Sequence, residues 1–221
     1  MTQQLIEATK PVDAIKQGPT SPSRSDWQRV SLLVGGVAFS AGNLLHPLEH
    51  TDAAYQSATW EAAHLVIFFS LPLLVLGLPV LHRALVPRVG SRLSTIAVAA
   101  SVVGLIGIGP GTIIETFVAP MIGHDAMTEL ESGGMAAVNG LFGSAYLGGT
   151  IALGWAIYRA RLRPRWTGPV LIVGAVVLMG MMTATGPAAG VVIITATVAY
   201  GLSLSALAWT LRPSRRTAGT Q

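Results

Sequence analysis

The stretch Arg159-Ala160-Arg161-Leu162-Arg163-Pro164-Arg165 lies between two long apolar runs, at about 135–158 and 169–185. Outward from this stretch, the remaining basic residues fall in the two tails and in one other connection between apolar runs. They are Lys10, Lys16, Arg24 and Arg29, then Arg83, Arg88 and Arg92, and finally Arg212, Arg215 and Arg216. Because Lys and Arg are enriched in cytoplasmic segments, this alternation predicts a membrane protein with both termini in the cytoplasm.

The apolar runs themselves predict the fold class. A helix needs about 20 predominantly apolar residues to cross a bilayer. Six runs serve as candidate spans, at approximately 30–45, 60–81, 93–119, 135–158, 169–185 and 188–211. Gly186-Pro187 separates the last two and predicts a tight turn. We therefore predict an all-α fold, a bundle of six transmembrane helices, with disordered cytoplasmic tails at 1–29 and 212–221.

The composition agrees with a multi-pass protein of the plasma (inner) membrane. Hydrophobic residues make up 51% of the chain and charged residues 11%, whereas soluble domains carry about 25% charged residues. The excess of Arg over Lys and the abundance of Ala, Gly and Val indicate a bacterial source. The net positive charge is explained by topology and by anionic lipid headgroups on the cytoplasmic face, so no nucleic-acid partner is predicted. The absence of cysteine excludes thiolate metal ligands and covalently attached haem.

The side opposite the arginines concentrates acidic residues and holds four of the five histidines. Without Lys or Arg nearby, carboxylates and imidazoles in a low-dielectric setting take up protons or bind a cation. We expect Asp52, Asp125, Glu129 and Glu131 to be ordinary solvated loop residues. The other acidic residues and histidines on this side are the candidates for a cation site.

Glu115 is flanked by apolar sequence on both sides, within the third predicted span. An ionisable group inside a span costs several kcal/mol and usually faces the bundle interior. Glu115 shares a helical face with Gly107 and Gly111, which supports that orientation. The alternative is a protonated glutamic acid that hydrogen-bonds to a neighbouring helix.

Glu61 and His64 are three residues apart and share a helical face. The ordinary interpretation of Glu61 is a first-turn acid that suits the helix dipole, in a helix capped by Thr59. Imidazole and carboxylate together suit a divalent transition metal. The predicted metal ligands are His46, His50, His64 and Glu115, with Glu49 and Glu61 as alternates.

Two further patterns concern packing. Small residues recur every four positions in the fourth span, at Ala136, Gly140, Ser144, Gly148 and Ala152. Such spacing predicts a face that packs inside the bundle, or alternatively the contact face of a homo-oligomer. Tyr55 and Trp60 are predicted to lie at the outer membrane interface, where amphipathic aromatic rings are enriched.

Three functions follow from these patterns. The first is an outward-facing His/carboxylate site for a divalent metal ion, structural or catalytic, with a non-covalent haem as the less favoured variant. The second is a proton- or cation-coupled transporter or channel that uses Glu115 and His64. The third is a non-catalytic membrane scaffold or accessory subunit. The sequence assigns no catalytic residue and does not decide whether the protein is an enzyme.

Overall fold

The computed structural model describes residues 24–181, 184 and 186–211, which are helical with short connections and contain no strand. The helices are α1 (Arg24–Leu45), α2 (Asp52–Tyr55), α3 (Ala58–Val89), α4 (Ser91–Phe117), α5 (Ala119–Ile122), α6 (His124–Ser132), α7 (Ala136–Ala160), α8 (Thr167–Met181) and α9 (Pro187–Thr210). The predicted all-α fold is confirmed. Most of both predicted tails, 1–23 and 212–221, lies outside the described residues, and α1 begins at Arg24 rather than at Val30.

Four segments in the described part of the chain are long and apolar enough to cross a membrane. They are Ala58–Val89, Ser91–Ile122, Ala136–Ala160 and Pro187–Thr210. The membrane character is therefore supported by four helices, where the sequence predicts six spans. The other two predicted spans correspond to α1, whose first turns carry polar residues, and to α8, which has 15 residues. Fifteen helical residues rise about 22 Å, less than the hydrocarbon thickness of about 30 Å.

The six long helices form a closed ring. Each packs on the next in the order α1, α3, α4, α7, α8 and α9, and α9 packs back on α1. Leucines fill the interior, including the fully buried Leu32, Leu74, Leu78, Leu81, Leu105, Leu153 and Leu204. The ring closes where a Cβ on Gly36 of α1 would overlap the carbonyl oxygen of Gly201 of α9. Only glycine allows the two backbones to approach so closely.

Most of the small-residue stripe of α7 faces away from the bundle, whereas its last member, Ala152, packs against the core. Gly140 and Gly148 are exposed, and a Cβ on either would meet nothing within 4 Å. The prediction that this stripe packs inside was therefore wrong. The inward face of α7 carries Tyr146 and Leu153, whose burial removes more apolar surface from solvent or lipid than burial of glycine would. Gly149 lies on the same face, where a Cβ would overlap the backbone of Ser101 on α4.

The end of the bundle where α1 and α4 finish and α3 and α7 start is covered by the short helices α2, α5 and α6. Tyr55, Trp60, Ala119 and Met127 form a small core of their own there. Trp60 is 0% exposed and Tyr55 is 4% exposed, so both rings pack inside the protein and not against lipid. Their level at the outer membrane interface stays a prediction. Helix α3 is capped by Ser57, whose hydroxyl accepts from the Trp60 N–H at 3.2 Å, and not by Thr59.

Candidate cation site

The predicted site residues come from three separate parts of the chain. His64 lies one turn after Trp60 on α3, and Glu115 lies in the last turn of α4. His46 and His50 belong to the non-helical segment that follows α1. The described arginines of α3, α4 and α7 all lie near the opposite ends of those helices. The histidines and the carboxylate therefore meet at the end of the bundle that carries no described Arg.

His64 and Glu115 form an ion pair between α3 and α4. The His64 Nε2 and Glu115 Oε2 atoms are 2.9 Å apart, and the two side chains are 2% and 27% exposed. The other ring nitrogen, His64 Nδ1, lies 2.7 Å from the carbonyl oxygen of Trp60. The buried imidazole is thus held at both nitrogens, and the carboxylate keeps an accessible edge.

This arrangement has a consequence for protons. A neutral imidazole has a single N–H, and a backbone carbonyl can only accept a hydrogen bond. If the Trp60 carbonyl takes the N–H of His64 Nδ1, the contact with Glu115 needs one more proton, either on Nε2 or on the carboxyl group. A metal ion between these atoms is the other way to satisfy two facing lone pairs. The pair can therefore accommodate one cation, either a proton or a metal ion.

The Trp60 indole fixes the position of Glu115. Its Nε1–H donates to the backbone carbonyl of Glu115 at 2.8 Å. Carbonyls in the last turn of a helix have no partner within the helix, so the indole caps the end of α4 through another helix. The same residue thus holds His64 through its carbonyl and Glu115 through its ring, a role that no pattern in the sequence indicates.

The imidazoles of His46 and His50 complete the cluster. The ring centroid of His46 lies 4.8 Å from that of His64 and 5.3 Å from that of His50. His46 Nδ1 lies 2.7 Å from the Pro47 carbonyl, which leaves Nε2 as the nitrogen with a free lone pair. This orientation, with Nδ1–H on a carbonyl, is the one that metal-binding histidines commonly adopt.

The environment keeps both of these imidazoles neutral. Burial lowers the pKa of His46 to about 4, against the opposing effect of its hydrogen bond to the Pro47 carbonyl, and the neighbouring imidazoles lower it further. Burial also lowers the pKa of His50, although the nearby carboxylate of Glu115 opposes the shift. Neutral imidazole is the form that binds metals. At neutral pH, neither ring has to lose a proton before it can coordinate a cation.

A polar rim lies outside the cluster. The Tyr55 hydroxyl is 3.5 Å from Nδ1 of His124, and its ring centroid is 4.6 Å from that of Trp60. The residue before α6, Gly123, has no side chain that could cap this helix. Asp52 takes that role, because its Oδ1 accepts from the backbone N–H of His124 at 2.7 Å. Burial raises the pKa of Tyr55 to about 12, and the carboxylate of Glu131 adds to this effect.

The four acidic residues that were predicted to be solvated differ in their exposure and contacts. Asp125 and Glu129 are exposed, as predicted for solvated residues. Asp52 is exposed too, but it joins the α1–α3 connection to α6, which the sequence did not indicate. Glu131 is partly buried, and burial raises the pKa of its carboxyl group, with the charge of Glu115 as a second cause.

The alternate ligands do not join the cluster. Glu49 and Glu61 are exposed and make no hydrogen bond or ion pair with a described residue. Glu61 lies in the first turn of α3, where a negative charge suits the helix dipole. Among residues 24–181, 184 and 186–211, no three His, Asp or Glu side chains are already arranged to hold a metal ion. The cluster of four is close together, but only His64 and Glu115 touch through their polar atoms.

Comparisons with protein-family models, with curated proteins and with solved structures find no match for this chain.

Proposed function

We propose that this chain is a six-span protein of the bacterial plasma membrane, with both termini in the cytoplasm, that binds a divalent metal ion at its outward-facing His/carboxylate site. The one-sided distribution of the basic residues supports the orientation. Helices α1 and α8 support the six-span count, because each is a member of the same ring and packs between helices that are long and apolar enough to span.

The observation that carries the metal site is the environment of the His64 ring. Both of its nitrogens face acceptors, so the position beside Nε2 calls for a cation. With metal–ligand bonds of about 2.0–2.1 Å, two adjacent ligand atoms lie about 2.9 Å apart at the right angles of octahedral or square-planar coordination, and about 3.3 Å apart at tetrahedral angles. The observed 2.9 Å between His64 Nε2 and Glu115 Oε2 therefore suits two adjacent ligands of one metal as well as a hydrogen bond. His46 and His50 are the nearest additional ligands.

The accessibility of Glu115 bears on the role of the metal. A structural site has all its positions filled by protein ligands, whereas a catalytic site keeps one open. Glu115 retains 27% of its side-chain surface, so a water molecule or substrate can approach it. This favours an exchangeable ion over a sealed structural one.

A haem is a poorer match for the same residues. The ring centroids of His46 and His64 are 4.8 Å apart and tilted by 54°, which leaves no room for a porphyrin between them. The divalent ion, which needs no such space, is the better match.

A second candidate is a site for the proton alone, as in a proton-coupled transporter or channel. It is favoured by the fact that the 2.9 Å contact is already a complete hydrogen bond, while the rings of His46 and His50 make no polar contact with the pair. Protonation of either partner leaves the pair electrically neutral, which suits a low-dielectric surrounding.

Metal titration of the purified protein tests the first candidate. Isothermal titration calorimetry with Zn²⁺, Mn²⁺ or Ni²⁺ at pH 7 should show one ion per chain and release of about one proton, since the metal displaces the proton of the pair. Glu115→Gln should weaken binding at least tenfold, while Glu61→Gln, an exposed carboxylate on α3, should leave it unchanged. No saturable binding of any of these ions, or equal losses in both variants, would overturn the metal assignment.

Proton flux separates the second candidate from the first. In proteoliposomes with an imposed pH gradient, a proton pathway predicts uptake that Glu115→Gln abolishes without added metal. Metal binding without flux would leave the first candidate alone.

A further inference from the structure

The opposite end of the bundle contains a cavity of about 530 Å³ at the connection between α7 and α8. It is lined by Ile157, Tyr158, Arg159, Arg161, Leu162 and Arg165. Helix α7 ends here because Arg161 adopts a left-handed backbone conformation, with a φ of 52°. The chain therefore turns sharply, and three arginines from a seven-residue stretch face one space.

The positive charge in this cavity has no counter-ion among the described residues. No carboxylate in the described part of the chain pairs with Arg159, Arg161 or Arg165. Like charges in one cavity repel each other, and a bound anion removes that repulsion. Guanidinium groups bind phosphate through paired N–H donors, which makes phosphate the anion best matched to three arginines.

The walls of the cavity distinguish a lipid from a free anion. Apolar atoms of Ile157 and Leu162 share the lining with the arginines. Next to it, the exposed rings of Trp155 and Tyr158 stack with centroids 5.9 Å apart, and Trp166 is exposed as well. Exposed Trp and Tyr rings are typical of the level of the lipid headgroups. The cavity thus combines positive charge with apolar and aromatic surface.

We propose that this cavity binds the phosphate-bearing headgroup of an anionic phospholipid. The arginines hold the phosphate, and the apolar and aromatic wall contacts the glycerol and the first methylenes of the acyl chains. This site is separate from the cation site, because the two lie at opposite ends of the bundle. A diffuse attraction between basic loops and anionic lipid would be unsaturable, whereas this cavity takes one lipid per chain.

A lipid titration of the full chain in zwitterionic detergent tests the proposal. Short-chain phosphatidylglycerol should raise the melting temperature saturably, and native mass spectrometry should show one retained lipid. Phosphatidylcholine and inorganic phosphate at the same concentrations should each give at least tenfold weaker effects. Equal stabilisation by inorganic phosphate would overturn the lipid assignment in favour of a free anion, and equal stabilisation by phosphatidylcholine would remove the role of charge.

Two matched triple variants locate the effect. Arg159→Gln/Arg161→Gln/Arg165→Gln should weaken phosphatidylglycerol binding at least tenfold. Arg83→Gln/Arg88→Gln/Arg92→Gln, which removes the same charge from the same end but outside the cavity, should change it less than threefold. Equal losses in both would show a diffuse attraction and overturn the proposal. If the first variant fails to fold, the single variant Arg165→Lys keeps the charge and should still weaken binding, because it loses the paired donors.

Discussion

Replacing Glu115 with leucine should cost more stability than replacing His64, and replacing both should cost less than the sum. After Glu115→Leu, the Nε2 atom of His64 stays buried without a partner, since that side chain is 2% exposed. An unsatisfied buried polar group costs about 1–3 kcal/mol. After His64→Leu, the carboxyl of Glu115 can take up a proton and reach water through its 27% exposed edge, so its penalty is smaller. We expect a coupling free energy of about 1–3 kcal/mol between the two positions.

The assay is unfolding in mixed micelles of increasing SDS content, followed by the loss of helical circular dichroism for the wild type, the two single variants and the double variant. The Glu61→Leu and His64→Leu pair is the control, because Glu61 lies on the same helix but is exposed and forms no hydrogen bond or ion pair with His64. Changes in unfolding free energy that add to within about 0.5 kcal/mol for Glu115 and His64 would refute the pair as an energetic unit.

Trp60→Phe keeps the aromatic volume but removes the N–H that caps α4, so it should lower the unfolding free energy by about 1–3 kcal/mol and weaken metal binding. The low pKa of His46, about 4 against an ordinary 6.5, means that unfolding takes up a proton between these values. Stability should therefore be complete above pH 6.5 and fall by about 3 kcal/mol towards pH 4, a loss that His46→Gln removes in a pH series of the same assay. Gly190→Ala should displace α9 from the backbone of Leu48, because its Cβ would overlap that carbonyl oxygen, and should lower the melting temperature; Gly148→Ala, which meets no atom within 4 Å, should not. Unchanged melting of Gly190→Ala would refute this packing.

The helices could be predicted from the sequence because a continuous run of apolar residues within one segment defines each of them. Each long helix corresponds to an apolar run, and α9 begins at Pro187, one residue before the predicted start of the last span. The pairing of His64 with Glu115 was also within reach, because ionisable groups in apolar helices face the bundle interior. Both inferences need only the sequence of one segment at a time.

The errors arise where the answer depends on contacts between segments. The spacing of Gly140 and Gly148 shows that they share a face, but only the packing of α7 on α4 decides which face is inside. The residue type of Trp60 predicts a ring at the membrane interface. Its burial beneath α2 and α6 depends on contacts with residues that are distant in the sequence. Its bond to the Glu115 carbonyl joins positions 55 residues apart, and no local pattern encodes that distance.

The helix ends give a further reason for the site to attract cations. Helices α1 and α4 both finish at the cluster, and the C-terminus of a helix carries the equivalent of about half a negative charge. Helix α3 begins there with the opposite polarity, but its first turn already holds the carboxylate of Glu61 and the cap from Ser57. The field at the cluster thus favours positive charge even without Glu115. We therefore expect Glu115→Gln to retain weak metal binding through the imidazoles, while the double variant His46→Ala/Glu115→Gln should retain none in the same titration. A double variant that binds as well as Glu115→Gln would show that His46 does not contribute a ligand.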